Sequence, residues 1–331
     1  MIELLNVSFN YFGYPPSINN INLTVSRGEK IAVFSESRGG KTTLMLLLAG
    51  LLKPVNGVIT VGGKDISRIK LRERDTAMVF ESLALPSYRT GKGILMRPFR
   101  LRGAGLKQAR EAARESAEKY DITPLWDFVP KLMNNYDKVR LAIARAFMRS
   151  PRTLIIDNPL KLMNITDRRN YFNELINYIR ELEGTVIYAT DDIEETKFFN
   201  RVIIIRNGYI VEEGNYLNFT ENPVNLYTLK RVYYDKLNLI KRVVNENAIA
   251  LYGKSVNVDA EDGTEIIAAI PADGVILSGK GESVTDIRER GDGYCTVNAG
   301  DGRLTVKGSG DRIQVDEKSV MLFDLISEKR L

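Results

Sequence analysis

Histidine is absent from all 331 residues. No mechanism of this chain can therefore use imidazole as base, acid, phosphate sensor or ligand, which removes the commonest catalytic side chain. Cysteine occurs once, at Cys295, which excludes an internal disulfide and any cysteine-cluster metal site and fits a reducing compartment. Long apolar runs are missing too: the longest, residues 44–52 and 202–205, fall short of the roughly 18 to 20 residues that span a bilayer. The start, Met1-Ile2-Glu3-Leu4, has no basic segment followed by an apolar one, so no export is expected. A net charge of +5 is mild; it permits an acidic ligand, nucleic acid or anionic lipid and argues for none. With 44% apolar residues the chain is long enough for more than one core, and two domains are expected.

What is present centres on residues 30–44. A buried strand, Lys30-Ile31-Ala32-Val33-Phe34, runs through Ser35-Glu36-Ser37-Arg38-Gly39-Gly40 into the helical Lys41-Thr42-Thr43-Leu44. A strand, a tight loop and a helix start make an anion site, because the first turn offers free N–H groups and the positive end of the helix dipole. Gly39 and Gly40 let the backbone close round phosphate, Lys41 can reach the terminal phosphates, and the Thr42 hydroxyl suits magnesium. Ser37, Arg38 and Thr43 complete the expected phosphate cradle. The pattern G-x-x-x-x-G-K-[ST] wants glycine where Ser35 stands, so alone it fits an accident as well as a nucleotide site. Upstream, Tyr11 stacks on an adenine ring or is a half-buried strand end, with equal weight.

The chain downstream decides. Residues 44–52 read as the rest of a buried helix ended by Pro54 and Gly57, and residues 57–63 as a hairpin strand. A buried strand before Leu85 presents Glu81; residues 97–119 are helical and basic, with seven Lys/Arg against three Glu; residues 132–149 have helical periodicity. Residues 151–159 read as a continuous apolar strand with a carboxylate, Asp157, at its end, where a magnesium-bound water would be held. Two more strands end at Asp191-Asp192 and lead into the Asn207-Gly208 hairpin. Strands alternating with helices predict a mainly parallel, doubly wound α/β sheet.

Residues 30–52, 79–85, 134–146, 154–159 and 185–192 stand in the order and at the spacings of the ABC transporter ATPases, which this chain resembles over essentially its whole length. It looks most like the maltose-type (MalK-like) importer subunits; residues 201–214 and Glu221-Asn222-Pro223 are similar to that subgroup's hinge. The resemblance implies a P-loop ABC ATPase domain over residues 1–228, with a helical subdomain at about 87–150, and a C-terminal OB-like (TOBE-type) regulatory or dimerisation domain over 229–331. It implies ATP and Mg2+ as cofactors, with Thr42, Glu81 and Asp157 at the metal. It also implies a second ATPase subunit, two transmembrane permeases, indirectly an extracytoplasmic solute-binding protein, and a peripheral place on the cytoplasmic face of the membrane.

The departures are specific. The glutamate that polarises water in such ATPases is replaced by Asn158, which cannot accept a proton, so a general-base factor of roughly 10²- to 10⁴-fold is at stake. The switch histidine falls on Asp191, the D-loop aspartate on Asn164, and the Q-loop glutamine on Glu81, which could still ligate magnesium. The signature that closes over ATP of the opposite subunit maps onto Met133, Asn134, Asn135, Tyr136 and Asp137, with both glycines lost. Lys41, Thr42 and Asp157, which hold Mg-ATP, remain. The expectation is a subunit of an importer for a sugar or related solute that binds Mg-ATP, turns it over poorly or not at all, and pairs with an intact relative. Its alternatives are an active ATPase with Asp191 or Asp192 as substitute base, and a soluble regulator outside any transporter.

From about residue 229 the composition shifts. Residues 230–247 read as a linking helix, followed by short strands whose turns include Asp262-Gly263, Gly291-Asp292-Gly293 and Gly300-Asp301-Gly302, a spacing that predicts a small β-barrel. Residues 272–277 and 317–322 form a faint repeat. The strands lack the interleaved aromatics that base stacking needs, so no nucleic acid is expected.

Overall fold

The structure, a computed structural model, describes residues 1–70, 73–290, 292–300 and 302–331. The turns expected at Gly291 and Asp301 lie in part outside the described residues. Two compact units result, Met1–Tyr216 and Leu217–Leu331.

In the first unit, β1 (Ile2–Asn10), β2 (Pro16–Val25), β3 (Lys30–Phe34), α1 (Lys41–Leu48), β4 (Asn56–Val61) and β5 (Lys64–Asp65) come first. Strands β1, β2, β4 and β5 make an antiparallel sheet in the order β2-β1-β4-β5. The second sheet adds β6 (Thr76–Val79), β7 (Thr153–Asp157), β8 (Thr185–Thr190), β9 (Arg201–Arg206) and β10 (Tyr209–Gly214) to β3, in the order β10-β9-β3-β8-β7-β6. All neighbours in it are parallel except the β9–β10 hairpin. Every residue of β7 and β8 is buried, as the unbroken apolar runs predict for strands covered on both faces. Ile2, Leu4, Ile31, Val33, Leu44, Leu48 and Ile187 belong to one core that packs α1 between the two sheets.

Helix α1 stops at Leu48, earlier than the sequence reading placed its end. Gly50 takes a left-handed turn (φ +66°), and the Arg74 guanidinium donates to the carbonyls of Ala49 (3.1 Å) and Gly50 (2.6 Å), satisfying the orphaned end. The basic helical stretch divides into α2 (Gly91–Leu101) and α3 (Leu106–Lys119), because Gly103 turns left-handed (φ +89°) between them. Then come α4 (Asn135–Phe147), which with α2 and α3 falls within the expected helical subdomain, and α5 (Ile165–Glu181), which precedes β8.

The second unit takes in residues that the sequence reading gave to the first domain. Helix Leu226–Tyr233 buries Leu226 and Leu229 against Ile267, Ala269, Met321 and Phe323, so its apolar face commits it to this core. The linking helix expected over residues 230–247 is corrected: the helix ends at Tyr233, and Leu237–Val243 is a strand paired along its whole length with Glu265–Pro271. Alternate burial of Asn238 and Ile240 follows the two-residue period, which outweighs the helical reading. Among the described residues the unit is β-rich, with sheets of three, two and six strands. The faint repeat has a structural counterpart: Ala272–Gly274 and Glu317–Ser319 are both single 3-10 turns leading into short strands, Val275–Ser278 and Met321–Asp324.

Candidate functional site

The carboxyl ends of β3, β6, β7 and β8 carry the sequence-predicted residues to one edge of the parallel sheet, where open α/β sheets bind ligands. After Phe34 the loop turns through Arg38 (φ +65°) and Gly40 (φ +108°) into α1, whose first turn has no side-chain cap. A Cβ at Gly40 would stand 2.6 Å from the Ser17 carbonyl, so only glycine fits. Ser35, in place of the usual glycine, is fully buried and its hydroxyl donates to the Glu36 carbonyl at 3.0 Å. Gly39 makes that substitution tolerable: a Cβ there would lie 1.7 Å from Ser35 Oγ.

Lys41 is 7% exposed, and its Nζ donates to the carbonyls of Ser35 and Glu36, the latter at 3.0 Å. Burial lowers its pKa, against the opposing pull of Asp191, Asp157 and Glu81. Thr42 is exposed; Thr43 is buried, and its hydroxyl lies 3.5 Å from the Tyr11 hydroxyl. Tyr11, half-exposed, is braced by the edge-on Phe9 ring at 4.9 Å.

Asp157 is 1% exposed. Burial raises its pKa, and the Thr42 hydroxyl hydrogen-bonded to it pulls the other way. Beside it Asn158 adopts a left-handed backbone (φ 43°, ψ 49°), a conformation asparagine tolerates well, and its Nδ2 donates to Asp191 Oδ2 at 3.0 Å. Asp191 is also 3.6 Å from the Arg168 guanidinium, whose Nε donates to Glu195 at 2.7 Å. Glu81 is ion-paired with Lys161 at 2.7 Å.

A cleft of about 1080 Å³ opens here, with Tyr11, Arg38, Lys41, Thr42, Glu81, Asn158 and Asp191 among its walls, while Asp157 lies buried behind Thr42 and Asn158 and is not itself in the wall. Glu36 and Arg38 line it without closing it, and the volume suits a nucleotide. Two buried oxygens, Asp157 Oδ1 and Asn158 Oδ1, have no hydrogen-bond partner. An ion with bound waters supplies the charge and donors that such oxygens lack. Among the described residues no group of three or more carboxylate, imidazole or thiol side chains forms a metal cage. Mg2+ keeps its waters and binds through one or two carboxylates and the ligand's phosphates, a set that Asp157 and Thr42 can begin. The residues present fit Mg-ATP.

Asn134, Asn135, Tyr136 and Asp137 do not line this cleft. They open α4: Asn134 accepts from the Asp137 N–H at 2.8 Å, Asn135 donates to the Leu162 carbonyl at 3.1 Å, and the half-buried Tyr136 lies edge-on to Tyr171 at 5.8 Å with Arg140 over its ring. Asp137 puts the chain's own carboxylate at the positive end of the helix. Sequence reasoning missed Lys161, Arg168 and Glu195. Glu195 is 5% exposed and accepts from Tyr188 (2.7 Å), Thr190 (2.5 Å) and Arg168. No local signal singles it out, because Glu195 stands among other charged residues in the turn Ile193–Phe198.

Residues 18–161 match the family described as ABC transporter. The chain is 29% identical over 240 residues to the sn-glycerol-3-phosphate import ATP-binding protein UgpC 3 of Rhizobium etli, covering 72% of this chain and 69% of that one. It is 28% identical over 287 residues to the Fe(3+) ions import ATP-binding protein FbpC of Escherichia coli K12, covering 85% and 81%. The fold matches MJ0796, a bacterial ABC transporter cassette solved as a dimer, at 24% identity and TM-score 0.60, covering 65% of this chain and 98% of the cassette. CbiO1 of Clostridium perfringens, part of the cbiONQ ABC transporter complex, matches at 25% identity and TM-score 0.57, covering 65% and 88%. The ABC ATPase family binds ATP with Mg2+. With the cleft and strand order described above, residues 18–161 match the ABC transporter family, and the chain is similar over 72% and 85% of its length to import ATP-binding proteins.

Proposed function

We propose that this subunit holds Mg-ATP and cleaves it slowly or not at all, acting beside a catalytically intact ATPase subunit on two permeases at the cytoplasmic face of the membrane. One observation carries the reading: the position next to Asp157 is an amide, Asn158, whose nitrogen is tied to Asp191 at 3.0 Å. Bound ATP would be held by the first-turn N–H groups of α1 and by Lys41, with magnesium at Thr42 and Asp157 and, once parted from Lys161, Glu81. Asn158 can orient a water but cannot take its proton. Asp191 lines the cleft as a carboxylate, which supports the second reading, an active enzyme with a substitute base; its engagement by Asn158 and Arg168 counts against that.

The permeases would dock after Glu81, where Leu51, Phe80, Ala84, Pro98, Arg145 and Arg149 line a groove of about 330 Å³. The second unit, Leu217–Leu331, serves as an OB-like regulatory or dimerisation domain. The solute is a sugar or a related small molecule; the relatives' names, with sn-glycerol-3-phosphate and Fe(3+), widen that range. Steady-state ATPase assays on the purified chain test the proposal. Wild type should bind Mg-ATP with negligible turnover and Asn158→Glu should raise the rate, whereas robust wild-type hydrolysis favours the substitute base.

A further inference from the structure

Three cations line the cleft: Arg38, Lys41 and Lys161. Lys41, already assigned to the bound ATP, is buried and donates here to the loop carbonyls of Ser35 and Glu36. Lys161 differs. It sits in the short 3-10 turn Pro159–Leu162 that follows Asn158, its side chain is 43% exposed, and its partner is the Glu81 carboxylate at 2.7 Å. It stands within electrostatic reach of Asp157 and Asp191 as well as Lys41, at the end of the cleft where the metal ligands gather.

We propose that Lys161 is a nucleotide-contacting residue, held by Glu81 until a triphosphate enters and then exchanged onto its terminal phosphate, so that it sets a preference for ATP over ADP. The inference rests on the reading that this cleft takes Mg-ATP. The exchange is isoelectrostatic for Lys161, since one anionic oxygen replaces another as acceptor. The flexible lysine stem makes it geometrically inexpensive. It also releases Glu81 toward the magnesium. A chain without histidine has no imidazole to donate to a terminal phosphate, and Lys161 supplies three N–H donors at the same edge of the sheet. Asp191 does not oppose the ligand with a bare charge, because Asn158 and Arg168 already engage it.

Calorimetric titration of the full chain with Mg-ATP and Mg-ADP tests this. Wild type should prefer ATP, Lys161→Ala should weaken ATP by about tenfold, some 1.4 kcal/mol, with ADP unchanged within about twofold, and Lys161→Arg should keep most of the preference. Equal loss for both nucleotides, or an unchanged ratio in Lys161→Ala, overturns the assignment. If wild type binds neither nucleotide, the reading of the cleft itself fails and takes this inference with it. The melting temperature of each variant separates lost contact from lost fold, since Lys161 is half in solvent.

Discussion

At the scale of single residues, Ser35 and Gly39 behave as a pair. The serine side chain occupies the space that a side chain at Gly39 would need, 1.7 Å away, so the imperfect phosphate motif is compensated within the loop. Gly39→Ala should then weaken Mg-ATP binding by more than tenfold in a titration, through distortion of the loop. Ser35→Gly/Gly39→Ala should recover most of it, because the nearest remaining atom, the Glu36 carbonyl at 3.2 Å, can give way. Two independent, additive losses would contradict this coupling. Asp157 makes a second pair of opposed demands. Its pKa is raised by burial, so the folded state holds the proton more tightly than the unfolded one. Stability therefore falls as pH climbs from the ordinary carboxylate value through the raised one, and the penalty persists at neutral pH. Asp157→Asn should raise the melting temperature of the first unit by about 2–4 °C, roughly 1 kcal/mol, and remove the magnesium dependence of nucleotide binding. A lower melting temperature would show that the carboxylate stabilises the fold after all.

At the scale of elements, the parallel strands were legible because their signal is local. Residues 153–157 and 185–190 are unbroken apolar runs, and each ends on an acid that the sheet delivers to the cleft. What stayed hidden depends on partners distant in sequence. The end of α1 is set by Arg74, the tie on Lys161 by Glu81, and the posture of Asp191 by Arg168, none of which any window of neighbouring residues contains. The strand Leu237–Val243 reads as helix in the sequence because its charged residues mask a two-residue alternation that only pairing with Glu265–Pro271 fixes. Glu195 welds the turn after β8 to α5, with burial lowering but its own charge and hydrogen bond raising the Arg168 pKa well above the ordinary arginine value. Removing one partner of such a buried pair strands the other, so Glu195→Ala should cost about 3–5 kcal/mol in a denaturant titration. A loss under about 1 kcal/mol would mean that water reaches the network.

At the scale of the whole molecule, the chain divides into two compact units, and the point of division follows the apolar face of Leu226–Tyr233 and not the change in composition. The fold of the first unit is shared with cassettes solved as dimers, yet α4 here begins with Asn135, Tyr136 and Asp137. In a pair of copies joined through the starts of their α4 helices, each copy would present Asp137 toward the other, and like charges at an interface cost several kcal/mol. Nor is the helix end vacant, since the Asn134 side chain already takes the Asp137 N–H. Mg-ATP should therefore not drive self-association of the wild-type chain at micromolar concentration, as read by light scattering after gel filtration. Asp137→Gln should move the chain toward a dimer by removing the repulsion while keeping the helix start. A wild-type chain that dimerises with Mg-ATP as readily as Asp137→Gln would show that the two copies tolerate this charge, and would remove the case for a different, intact partner.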